Sequence, residues 1–215
     1  MVRIEEELLI SHLINNLSFP YDILVRKFYN IHMSNNLSYA TLANGCFWCT
    51  EAVFQRLKGV SSVHSGYTGG TTANPTYEAV HYNETGHAEA IQITYDPAII
   101  SYETILKIFF ATHDPTTLNR DGANVGKEYR SEIFYHDAEQ KDIAEKVKAE
   151  LDASGTYNDP IVTAISEYTN FYPAEEEHNN YYDNNPNAPY CRVIIDPKIH
   201  KLLEKYSKEV KDEYK

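Results

Sequence analysis

Residues 38–59 read SYATLANGCFWCTEAVFQRLKG, and the fold turns on the middle of that stretch. Tyr39 to Ala43 is a β-prone run, and Gly45 breaks it. Phe47 to Leu57 then carries Val53, Phe54 and Leu57 on one helical face, and Gly59 ends the helix. A strand that passes through one glycine into a helix predicts an α/β arrangement with Cys46 at the junction. The unpaired N–H groups and positive dipole end of a helix start favour a thiolate, the nucleophilic form of cysteine. Gly45 permits close approach, and Phe47 and Trp48 supply an apolar wall. Cys49 completes a Cys-x-x-Cys spacing with Cys46, shared by redox dithiols and zinc knuckles. Zinc wants about four ligands, and no second Cys-x-x-Cys or nearby His-x3-His exists, so no metal is expected.

Working outward, residues 60–66 predict a weaker strand, with Gly66, Gly69 and Gly70 forming a loop. A short helix is expected near Tyr77 to Val80, and Ala88 to Tyr95 alternates cleanly as a strand. Ser101 caps a helix carrying Ile105, Ile108, Phe109 and Thr112. A polar loop over residues 113–128 has the length of a binding loop. Ser131 to Tyr135 reads as a strand. Asp137 and Gln140 resemble a capping box before a helix with Ile143, Val147 and Leu151, closed by Ser154 and Gly155. Ile161 to Ser166 is another strand. A segment rich in Asn and Pro, from Tyr182 to Tyr190, is expected to be a mobile arm before a last short strand, Cys191 to Ile195. Strands separated by helices of this length predict an α/β sandwich built partly from βαβ units. Residues 1–37 stand apart as an N-terminal extension, with Leu9, Ile10, Leu13, Ile14 and Leu17 at helical spacing. Residues 38–215 form a single domain.

The 215 residues carry 19 Lys and Arg against 31 Asp and Glu, a net charge of −12, which argues against a nucleic acid held by phosphate contacts. No apolar run is long enough to span a membrane. Three cysteines are too few and too odd in number for a secreted disulfide scaffold, and Glu5, Glu6 and Glu7 do not fit a secretory signal, so a reducing cytoplasmic setting is expected.

Three further clusters carry chemistry. Glycines on both sides of Tyr67 would present its phenol to a cleft. Glu89 shares strand parity with Ile91, Ile93 and Tyr95. Its carboxyl therefore faces an apolar layer that would keep it protonated, as a general acid requires. The loop from His113 to Ser131 offers Tyr129 as a second phenol. A cysteine hydrolase using Cys46, His178 and an acid competes on residue types alone.

Together these clusters resemble the peptide methionine sulfoxide reductase A family. The resembling motifs are Gly45-Cys46-Phe47-Trp48, Gly66-Tyr67-Thr68-Gly69-Gly70, Asn74-Pro75-Thr76-Tyr77, Thr85-Gly86-His87-Ala88-Glu89, His113-Asp114-Pro115-Thr116-Thr117, Tyr129-Arg130-Ser131 and Ala174-Glu175 with His178. The resemblance implies a two-layer α/β (α+β) sandwich with a mixed sheet and a ferredoxin-like βαβ core. It implies thiol-dependent reduction of free or protein-bound methionine S-sulfoxide. Cys46 would be the nucleophile, and Glu89, Tyr67 and Tyr129 the groups around the sulfoxide oxygen. Phe47 and Trp48 would form the methyl pocket, with Asn124 and His178 also contacting substrate. The sulfenic acid on Cys46 would be resolved by Cys191, with Cys49 a second candidate. The implied partners are oxidised peptides or proteins and thioredoxin or a similar dithiol, with no cofactor. Asn124 stands where the family pattern leads one to expect aspartate, and Cys49 where glycine is common.

Overall fold

The computed structural model describes residues 37–82 and 85–215, so the helix expected around Leu9 to Leu17 lies outside the described residues. The main sheet has six strands: β1 (Ser38–Asn44), β2 (Val60–Thr68), β3 (Ala88–Tyr95), β6 (Ser131–Tyr135), β7 (Ala164–Glu167) and β8 (Tyr172–Pro173). A separate hairpin pairs β4 (Arg120–Asp121) with β5 (Asn124–Val125). The helices are α1 (Phe47–Phe54), α2 (Tyr77–Tyr82), α3 (Tyr102–Ala111), α4 (Ala138–Ala153), α5 (Tyr181–Asn184) and α6 (Asp196–Tyr206).

The sheet order is β7-β6-β1-β3-β2-β8. Every pairing is antiparallel except β6 with β7, which α4 connects. β1 and β2 both run antiparallel to β3, which lies between them, so β1-α1-β2 is a βαβ unit split by an intervening strand. The expected mixed sheet with ferredoxin-like βαβ units is therefore present.

Alternation along β3 sorts its side chains. Ile91, Ile93 and Tyr95 join Leu42, Phe54, Leu57, Ile105, Leu106 and Phe109 in the main core under the helices. Ala88 and Ala90 face the other side, with Ala43, Phe134 and Phe171. Burying each large aliphatic or aromatic side chain contributes about 1.5–3 kcal/mol. Glu89 has the parity of the core face, which is why a carboxyl enters the apolar layer.

Caps at two helix starts follow the sequence. Ser101 Oγ accepts from Thr104 N at 3.1 Å, and Asp137 Oδ1 accepts from Gln140 N at 2.8 Å. Gln140 departs from a reciprocal capping box, because its Oε1 accepts from His136 N rather than from Asp137.

Several boundaries differ from the sequence expectation. Gly66 lies inside β2, where a Cβ would sit 2.4 Å from Tyr172 O, so this glycine admits β8 rather than making a loop. The α1 helix ends at Phe54, and Leu57 forms a β-bridge with Val210 instead of a further helical turn. Strand β7 begins at Ala164, not Ile161. Cys191–Ile195 is a π-helical turn leading into α6, not a strand. Cys191 and Ile195 lie four residues apart and both pack against Cys46, Cys49 and Ala52, so tertiary burial selects the helix. A five-residue apolar run does not reveal its period. Among the described residues no helix is long and apolar enough to cross a membrane.

Candidate active site

Cys46 is the N-cap of α1, with φ −61° and ψ 123°, and its carbonyl accepts from Cys49 N at 3.1 Å and Thr50 N at 3.2 Å. Gly45 before it has φ +91°, a left-handed conformation that suits glycine. A Cβ there would lie 2.4 Å from Asp121 Cβ, so the close approach that Gly45 permits is by the β4–β5 hairpin. The hairpin is thereby held over the cysteine junction.

Phe47 N–H, one of the helix-start donors without an intrahelical partner, donates to Glu89 Oε2 at 2.9 Å. The carboxyl of β3 therefore meets the start of α1. Glu89 is 2% exposed. Burial pushes its pKa up, against the lowering effect of His81 and of the Phe47 amide. The expectation of a carboxyl held toward its acid form agrees with this direction.

A cavity of about 190 Å³ is lined by Cys46, Phe47, Trp48, Tyr77, Glu89, Asn124, Tyr129 and Tyr190. The structure thus joins six residues singled out in the sequence with two given no role there, Tyr77 and Tyr190. Tyr77 was legible only as part of Asn74-Pro75-Thr76-Tyr77, and it opens α2 with its ring 6.5 Å from that of Phe47. Burial, then the neighbouring Glu89, pushes the Tyr77 phenol up to about 12, and burial likewise raises Tyr129. Both stay protonated donors at neutral pH.

Tyr67 does not line the cavity. It is fully buried behind Phe47, with ring centroids 5.9 Å apart, and its hydroxyl donates to Glu175 Oε2 at 2.9 Å. The other oxygen of Glu175 accepts from Tyr77 N at 2.8 Å. Tyr67 therefore acts through Glu175 on the start of α2, and the phenol presented to the cavity is that of Tyr77. The paired glycines around Tyr67 allowed close strand and loop packing instead of an exposed ring.

His178 is also outside the cavity lining. Its Nδ1 accepts from Trp48 Nε1 at 3.2 Å, and its ring stacks on Tyr77 at 4.6 Å. Trp48 stacks on Tyr181 at 3.7 Å and meets Tyr190 edge-on at 5.7 Å. His178 thus fixes the indole rather than pairing with a thiol. That commitment removes it as the imidazole of a cysteine hydrolase. Asn124 Nδ2 donates to Tyr190 OH at 3.1 Å, so the amide both lines the cavity and holds its rim.

All three cysteines are free, buried and in one cluster with Ala52, Ile195 and Ile199. Burial pushes the Cys46 thiol well up, and the adjacent Cys49 adds to this. The resting thiolate expected at the helix start is therefore opposed by desolvation. The hydrogen bond from Cys46 lowers Cys49, and Lys198 adds to the effect. Lys198 reaches the cluster from α6 and pairs with Asp121 at 2.6 Å. Cys191 is not on a mobile arm: it is fully buried at the start of the π-helical turn. Among the described residues no three His, Cys, Asp or Glu side chains are placed to share a metal ion.

Residues 38–211 match the family model for peptide methionine sulfoxide reductase. The chain belongs to the peptide methionine sulfoxide reductase family. It is an oxidoreductase that reduces methionine sulfoxide at the expense of thiols. The reductase is 54% identical to a peptide methionine sulfoxide reductase of Rhodopirellula baltica over 172 residues, covering 80% of this chain and 88% of that protein. It is 51% identical to the enzyme of Sulfolobus acidocaldarius over 170 residues, covering 79% and 96%. Among solved structures it is similar to reduced Mxr1 from Saccharomyces cerevisiae, with TM-score 0.68 and 33% identity over 73% of this chain and 90% of that one. It is also similar to methionine sulfoxide reductase A of Corynebacterium diphtheriae, with TM-score 0.64 and 29% identity over 73% and 79%.

Proposed function

We propose that this reductase takes the S epimer of methionine sulfoxide, free or within peptides and proteins, with Cys46 as nucleophile and Glu89 as proton donor. The observation that carries the reading is one small cavity lined together by a buried thiol, a buried carboxyl and the side chains of Phe47 and Trp48. Residues 38–215 are the catalytic domain, and residues 1–37 are an extension outside the family match.

The substrate methyl group lies against Phe47 and Trp48. The oxygen faces Glu89 and the phenols of Tyr77 and Tyr129, with Tyr77 in the position that the sequence assigned to Tyr67. Glu89 gives its proton to the oxygen, which leaves positive charge on the substrate sulfur. That charge draws the proton off the neighbouring Cys46 thiol, offsetting the desolvation that holds it up at rest. The oxygen passes to Cys46: the bond from substrate sulfur to oxygen breaks, one from oxygen to Cys46 sulfur forms, and methionine leaves reduced. Cys46 is left as a sulfenic acid.

A thiol for the sulfur, an acid for the oxygen and an apolar pair for the methyl group, each engaging a different part of a tetrahedral sulfur centre, select one configuration. With a peptide methionine sulfoxide resolved by epimer and dithiothreitol as reductant, the S epimer is consumed and the R epimer persists. Equal consumption of both overturns the epimer assignment.

The resolving step then uses Cys49. The sequence reading favoured Cys191 because a mobile arm adapts to disulfide geometry. That premise is gone, since Cys191 is buried in a helical turn. Cys49 lies in the first turn after Cys46, and the neighbouring Cys46 thiol and Lys198 both lower its pKa. Cys49 condenses with the sulfenic acid, releasing water, and Cys191 exchanges into the disulfide next. Thioredoxin or a similar dithiol reduces the final bond, in the reducing cytoplasm that keeps all three thiols free. Peptide mapping after one equivalent of substrate without reductant is expected to find Cys46–Cys49 first, and Cys191→Ser to accumulate it. A Cys46–Cys191 bond from the start, formed at full rate in Cys49→Ser, reverses the order.

A further inference from the structure

His81 lies on α2, in a part of the sequence that drew no functional reading, and its ring is held on both nitrogens. Nδ1 is 2.7 Å from Tyr77 O, a carbonyl that can only accept, so Nδ1 carries a hydrogen. Nε2 is 2.9 Å from Glu89 Oε1 and 3.1 Å from Tyr129 OH. With its centroid 3.9 Å from that of the Tyr77 ring and tilted by 31°, the ring is fixed in orientation as well. One titratable proton therefore lies between Nε2 and Oε1. When Glu89 O–H donates to Nε2, the Tyr129 hydroxyl hydrogen is free to point into the active cavity.

His81 also lines a second cavity, of about 350 Å³, with Thr85, Lys127 and Glu128, to which Glu89 does not contribute. His81 thus borders that cavity and, through Nε2, contacts the buried carboxyl.

We propose that His81 is a positioning residue for the reaction: through Nε2 it orients the Glu89 carboxyl and takes up a proton there as Glu89 gives its own to the sulfoxide oxygen. The inference rests on the reading of Glu89 as the acid. Without this uptake, proton transfer leaves a carboxylate that keeps the Phe47 N–H but gains no counter-charge from His81, in a site that is 2% exposed, which is costly. With it, Glu89 carboxylate faces His81 imidazolium across 2.9 Å. The balance closes. Cys46 thiol releases one proton to solvent and His81 takes one up; the sulfoxide oxygen receives the Glu89 proton and moves to Cys46. His81 then hands its proton to Oε1, restoring the neutral pair. Burial works against the His81 cation, but the bond to Glu89 outweighs it and raises the imidazole.

The groups that face this pair are Cys46 at the start of α1, Tyr67 on β2, Tyr77 on α2, and Glu128 and Tyr129 before β6. His178 faces it from the segment after β8. The phenols are held protonated by burial, so within the pair only Glu89 and His81 exchange a proton near neutral pH.

The test is single-turnover methionine release as a function of pH in His81→Gln, Glu89→Gln and the double variant. Glutamine at position 81 can still accept from Glu89 but takes up no proton. A general acid is worth about 10²–10⁴-fold, so His81→Gln is expected to lose at least about ten-fold of that at neutral pH, with substrate affinity little changed. Its rate should persist to higher pH than the wild type, because the His81 effect that lowers Glu89 is gone. The double variant should be no slower than Glu89→Gln alone. An unchanged pH limb in His81→Gln, or losses that add in the double variant, overturns the proposal. If His81→Gln does not fold, His81→Asn, which keeps reach to Tyr77 O, is held to the same outcomes. Wild-type turnover in Glu89→Gln sinks the acid assignment itself. A slow Glu89→Gln beside a wild-type His81→Gln sinks only the role of His81.

Discussion

Cys46→Ser is expected to release no methionine in a single turnover, while still folding and still binding a methionine sulfoxide peptide. The reasons are local. Cys46 is the cysteine of the three that lines the cavity shared with Glu89 and the aromatic wall, and a serine hydroxyl neither ionises there nor accepts oxygen from a sulfoxide. Cys49 and Cys191 do not rescue the variant, because both are buried and neither lines the cavity. The measurement is quantification of methionine after mixing enzyme with one equivalent of substrate, without reductant. Stoichiometric release from Cys46→Ser moves the nucleophile to another thiol.

Glu89→Gln is expected to bind substrate near normally and to slow single-turnover reduction by about 10²–10⁴-fold, the range for loss of a positioned general acid. Glutamine keeps a donor in the cavity, so affinity and the chemical step separate. The pH dependence carries a sign. Burial raises the Glu89 pKa, so the acid form persists above the usual carboxylate range and is lost as pH rises through the shifted value. The wild-type rate therefore falls on the basic side for want of the proton, and Glu89→Gln lacks that limb. Rapid chemistry in the variant, with the limb intact, assigns the proton to another group.

Much of the site was readable because it depends on local rules. The junction at Gly45-Cys46-Phe47-Trp48 follows from a broken strand and a helix start. The burial of Glu89 follows from period-two alternation with Ile91, Ile93 and Tyr95. Both survive intact, since each needs only the nearest few residues. Tyr67 was misread for the opposite reason. Its orientation depends on Glu175, 108 residues away, which takes the hydroxyl that the flanking glycines suggested was free. Tyr77 reached the cavity unannounced, because a tyrosine at the first position of a six-residue helix has no periodic signature.

By itself the sequence determined the α/β class with βαβ units and the family, and it singled out Cys46 and Glu89, the nucleophile and acid proposed above. These rest on short-range geometry and on the ordered set of motifs. Tertiary structure alone decided which phenols line the cavity, that His178 holds Trp48, that Cys191 enters the core as a helical turn, and that His81 meets Glu89. Each of those is a contact between groups brought together by the sheet order and the returning C-terminal helix. Hydrogen-bond partners between separate elements, and the pKa shifts that follow from them, are set by which surfaces close on one another, and no local pattern encodes that.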